Sequence, residues 1–196
     1  MNDILQYQDS SKFQFTGHVC AMYTDTGEIV INKFNKIHPQ NMARILARGL
    51  ANEPNSSIFK IKFGNGGTFI DSNQRITFLQ PNTVGTNAKL YNTTYEEQVD
   101  DTHQDTPISN SVVSSASPAP SLTSVVTVTV EIGPDEPAGQ PISDGNVTDP
   151  ENRFMFDELG VFTSDDIMLT HLIFSPFQKT ANRSLLVTYT ITIAVA

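Results

Sequence analysis

The clearest alternation of apolar and polar positions in the chain runs from Leu122 to Ile132, where Val126, Val128, Val130 and Ile132 are separated by Thr127, Thr129 and Glu131. Successive strand side chains point to opposite faces, so this period predicts a long strand, and its β-branched residues suit one. The stretch from Leu185 to Ala196 is apolar to its last residue and predicts a second long strand. An edge that apolar is not stable bare in water, so it should pair inside a sheet or against a neighbouring chain. Ile58 to Phe63 also alternates and then breaks at Gly64-Asn65-Gly66-Gly67, which reads as a half-buried strand running into a turn. Two β-like runs between Phe13 and Phe34 flank Asp25-Thr26-Gly27 and predict a hairpin. Phe154 to Phe162 and Met168 to Phe174 complete the set.

One segment breaks this rhythm. From Pro39 to Leu50, Met42, Ile45, Leu46 and Leu50 fall at helical spacing, and Pro39 suits a first helical turn. The expected fold is therefore mostly β (α+β), a β-sandwich-like single domain over residues 1–196 with one principal helix near residues 39–51. Two stretches lack the spaced large apolar residues that would hold them on a core. Residues 98–120 are acidic and then rich in Ser, Ala and Pro, and read as an exposed arm or loop; residues 133–152 carry four prolines and three glycines and read as a long surface loop.

Charge narrows the range of functions. Against 12 basic side chains stand 21 acidic ones, a net charge of −9, and the basic ones are scattered. Direct binding of nucleic acid needs a basic footprint that this pattern does not offer, and an anionic membrane surface is disfavoured for the same reason. No apolar run is long enough for a membrane-spanning helix, and the opening residues have neither the charged nor the apolar part of a secretory signal, which predicts a soluble chain made in the cytoplasm. Cys20 has no second cysteine to pair with and reads as a small buried thiol. The Asn-x-Ser/Thr sites at Asn55, Asn92, Asn146 and Asn182 carry no weight in such a chain.

Each candidate for chemistry reads more simply as structure. The Gly64–Gly67 run has no following Lys-Ser/Thr and no helix to complete a phosphate loop, so a turn is favoured. Glu96, Glu97, Asp100, Asp101, His103 and Asp105 form the densest acidic cluster but do not follow the calcium-loop pattern, and read as a solvated acidic loop. His18, His38, His103 and His171 are dispersed, with no zinc-binding arrangement, and His171 reads as a satisfied structural histidine. Asp157 and Glu158 are a conceivable catalytic pair, yet neighbours on a strand point to opposite faces. No catalytic, cofactor-binding or metal-binding residue is assigned, and the chain is expected not to be an enzyme.

The order of these features carries a resemblance. A helix, then a strand ending in Gly64-Asn65-Gly66-Gly67, then Pro81 and Ala88-Lys89-Leu90-Tyr91-Asn92, then a β stretch, then Phe156-Asp157-Glu158-Leu159-Gly160-Val161-Phe162 and Met168-Leu169-Thr170-His171 resembles the phage tail-collar proteins and related virion structural proteins. The shared order covers residues 38–196, and the long Ser/Ala/Pro segment near 107–120 departs from it. The resemblance implies a structural subunit of a tailed-bacteriophage virion, in the tail, collar or neck, whose partners are other virion proteins and its own copies in a ring or lattice. Alternatives are a capsid decoration protein and a receptor- or carbohydrate-binding module; the absence of Trp leaves few stacking platforms for the last.

Overall fold

A computed structural model describes residues 12–99, 111–116, 122–138 and 155–195. Its elements in chain order are β1 (Phe13–Tyr23), β2 (Ile29–Ile37), α1 (Pro39–Leu50), β3 (Lys60–Gly64), β4 (Thr68–Ile70), β5 (Ile76–Phe78), β6 (Thr93–Gln98), β7 (Ser111–Ala116), β8 (Leu122–Ile132), β9 (Met155–Phe162), β10 (Met168–Gln178) and β11 (Leu185–Val195). Among the described residues the protein is mostly β with one helix, as the patterning predicts.

Among the described residues nine strands join in the order β6-β3-β9-β10-β2-β1-β11-β8-β7, every pair antiparallel, while β4 and β5 form a separate hairpin. The sheet curls so that β6 approaches β8. The sandwich-like character thus comes from one sheet whose two halves face each other and share strand β2. Val19, Ala21, Val128, Val130, Val187 and Tyr189 from one half meet Ile61, Phe63, Phe156, Leu159 and Leu172 from the other in a single core.

The two-residue period does the work where one face is wet. Tyr189 pairs Val128, Val187 pairs Val130 and Leu185 pairs Ile132, all of them buried, so β11 and β8 present one continuous apolar face. The C-terminal strand is therefore paired on both sides within its own chain, to β1 and β8. Strand β9 behaves differently and is buried from Phe156 to Phe162 without alternation. Its second face is covered by a smaller cluster in which Ala88 and Leu90 pack on Phe162 and Met168.

Helix α1 starts where the sequence reading places it. His38 is the N-cap, its Nδ1 accepting from the Asn41 N–H at 3.2 Å while its Nε2 lies 2.8 Å from the Gly85 carbonyl, and Pro39 opens the first turn. Met42 and Ile45 are buried as expected, but Leu50 is 91% exposed, because the helix docks through Asn41, Met42 and Ile45 only.

One loop assignment changes. Gln98 closes β6 and Val99 is fully buried, while 111–116 form β7 on the open side of β8, so parts of the 98–120 arm belong to the sheet. Alternating apolar size misses β7 because its small Ser and Ala residues look like a linker. The rest of the arm, and 139–152 of the second loop, lie outside the described residues. At the start of that loop Lys179 is fully buried and donates to the carbonyls of Gly133, at 2.8 Å, and Thr180, at 3.0 Å.

Candidate functional site

The two motifs that carry the resemblance, about ninety positions apart, meet at one place. β3 leaves the sheet at Gly64 and the chain crosses directly over Asp157 and Glu158 of β9. Glu158 Oε1 accepts from the N–H of Gly66 at 3.2 Å and of Asn92 at 2.8 Å; its Oε2 accepts from the N–H of Tyr91 at 2.9 Å and lies 2.9 Å from His171 Nε2. Asp157 Oδ1 accepts from the Gly67 N–H at 2.8 Å, and Oδ2 from the N–H and hydroxyl of Thr68 at 2.9 and 2.5 Å. A carboxylate that accepts several N–H bonds is well satisfied away from water, and both of these are buried.

Neighbouring strand residues are expected to face opposite ways, yet Asp157 and Glu158 grip consecutive amides of one loop. Between Ile173 and Phe177 the β9–β10 register shifts, so Asp157 sits at an irregularity and its side chain reaches the loop that wraps round the strand end. The two carboxylates share no donor: Asp157 holds Gly67 and Thr68, while Glu158 holds Gly66, Tyr91, Asn92 and His171.

His171 is fully buried and its tautomer follows from its neighbours. The Asn82 N–H donates to Nδ1 at 2.8 Å, which leaves the proton on Nε2 to be donated to Glu158. One side chain thus ties the 80–92 segment to the carboxylate knot. Burial pushes the Glu158 carboxyl up, but the hydrogen bonds from His171, Asn92 and Tyr91 outweigh it and hold the group below its ordinary value of 4.5.

The glycines are required by closeness rather than by turn geometry. A Cβ on Gly64 would lie 2.3 Å from the Asn92 carbonyl oxygen, and one on Gly66 would lie 2.7 Å from Tyr91 Cβ and 2.8 Å from the Asn92 nitrogen. The motif lets two loop segments share one carboxylate.

Other predicted site residues lie elsewhere. Glu96 sits in β6 and pairs with Lys60 and Lys62 at 3.3 Å each, and Asp166 reaches the same two lysines at 2.8 and 2.9 Å. Glu97 accepts from the Tyr95 hydroxyl. These two acids therefore belong to a strand and not to a solvated loop; Asp100, Asp101, His103 and Asp105 lie outside the described residues. His18 faces Asn32 at 2.7 Å in the exposed part of β1. Cys20 is half-buried rather than buried. Among the described residues no group of three or more His, Cys, Asp or Glu side chains is arranged to hold a metal ion, and no helix is long and apolar enough to cross a membrane.

Fold and site together define a mostly β scaffold in which two buried carboxylates and a histidine lash three loop segments to one strand. No family model, curated protein or solved structure matches the chain.

Proposed function

We propose that the protein is a structural subunit of a tailed-phage virion, in the tail, collar or neck region, acting by assembly with other virion proteins and with its own copies. The observation that carries this reading is the knot itself: Gly64–Gly67 and Asp157–Phe162, the motifs shared with the tail-collar resemblance, are joined by hydrogen bonds of 2.8 and 3.2 Å. All four carboxylate oxygens of Asp157 and Glu158 are engaged by the protein's own donors, which favours a scaffolding role over proton transfer to a substrate.

The test is deletion of residues 107–120, which removes β7 and bares the outer edge of β8. The shortened chain should keep the circular dichroism spectrum of a folded β protein and fail to enter particles when it competes with the full chain during assembly. Incorporation at the level of the full chain would remove the arm from the assembly mechanism.

A further inference from the structure

Strands β4 and β5 form a hairpin outside the nine-stranded sheet, and Phe69, Ile70, Ile76 and Phe78 on it are 49%, 72%, 52% and 45% exposed. A lone two-stranded hairpin is marginal in water. This one is anchored at its base, where Asp157 holds Gly67 and Thr68, so its apolar side chains are presented as a fixed ridge. A groove flanks it on either side. One, of about 340 Å³, lies between the hairpin and Met155 and Pro176; the other, of about 460 Å³, runs between Phe78 and Phe34, with Lys33 and Lys36 on its wall. Phe34 is 72% exposed.

We propose that this ridge and the Phe34 groove form the face through which two copies of this chain associate, the hairpin of each lying in the groove of the other. The inference rests on the assembly reading and gives it a surface. The groove offers Phe34, Phe78, Leu79 and Pro81 between its lysine walls and adjoins the apolar ridge, so a two-fold rotation sets the ridge of each copy against the groove of the other. The exposed parts of Phe34 and the four hairpin residues amount to roughly 550 Å² of apolar area, the larger share of the ~800 Å² per partner found in a stable interface.

The experiment is sedimentation velocity of the full chain, its Ile70→Asp variant and its Phe34→Asp variant, from about 1 to 100 μM. Both positions are more than two-thirds exposed, so neither change disturbs the fold, and unchanged circular dichroism and melting confirm that. The parent should self-associate and each variant at least about tenfold more weakly. In a Cys20→Ser background, Ser72→Cys with Lys36→Cys should give a disulfide between copies under mild oxidation. A parent that stays monomeric, a variant that associates like the parent, or no inter-copy disulfide would overturn this face. If the parent associates through another surface, the face fails while the virion reading stands; that reading falls separately if the chain is missing from purified particles.

Discussion

Replacing Glu158 by Gln keeps size and shape and removes only the charge and one acceptor. In the native knot each Glu158 oxygen receives two donors: Gly66 and Asn92 on Oε1, Tyr91 and His171 on Oε2. Whichever way the new amide turns, its NH₂ faces two N–H donors that then have no acceptor. His171 cannot relieve the clash by moving its proton, because its Nδ1 already accepts from Asn82. Two buried donors left unpaired cost roughly 2–6 kcal/mol together, a large share of the 5–15 kcal/mol that holds a typical domain folded. Urea denaturation at neutral pH should place Glu158→Gln about 4 kcal/mol below the parent, with Tm lower by roughly 10 °C. Glu96→Gln is the control: that carboxylate is 50% exposed, and its loss should cost no more than ~1 kcal/mol. A Glu158→Gln loss below about 1 kcal/mol, no greater than the Glu96 control, would refute the claim that the knot fixes the loops.

Other outcomes follow from the same structure. Gly64→Ala forces a Cβ to 2.3 Å from a backbone oxygen and should destabilise the fold by roughly 2 kcal/mol or more, read by the same denaturation assay; a neutral result would contradict the close crossing. Because the folded Glu158 carboxyl lies below its ordinary 4.5, the stability it contributes is present above that pH and lost as pH falls through the folded value, so the acid limb of a stability profile should be shallower in Glu158→Gln. Burial lowers Lys179 from 10.5 to about 8, against the opposing pull of Glu136 and Asp135. Between those values the unfolded chain holds the extra proton, so its contribution to stability rises with pH, by up to about 1.4 kcal/mol per pH unit. Lys179→Met should flatten that rise. Burial raises Tyr189 from 10.0 to about 12, against the Asn35 and Thr170 hydrogen bonds, so its contribution to stability falls with pH above 10 and Tyr189→Phe should remove that fall.

Much of the scaffold was legible because its signals are local. The β8 period from Leu122 to Ile132 is the observed strand, and Pro39 with the Met42 and Ile45 spacing marks the helix. Three-residue strands such as β4 and β5 carry too little pattern to find, and their apolar residues suggest a core although they face solvent. Strand β9 could not show alternation because both its faces are covered. Both halves of the knot were visible as motifs, but their pairing was not: it depends on the β9–β10 register shift that turns Asp157 toward the loop, and no feature near Asp157 in the sequence announces that bulge. His171 was legible as a structural histidine from its place in an apolar strand, whereas its partners, Asn82 and Glu158, come from elements distant in the chain.

The claim that this is a virion subunit is tested most directly by electron cryomicroscopy of the intact particle at a resolution that traces side chains. The account predicts density for the nine-stranded sheet and its projecting β4–β5 hairpin, repeated by symmetry in the tail, collar or neck. Particles whose every protein density is accounted for by other chains, and from which this chain is missing by mass spectrometry, would contradict it.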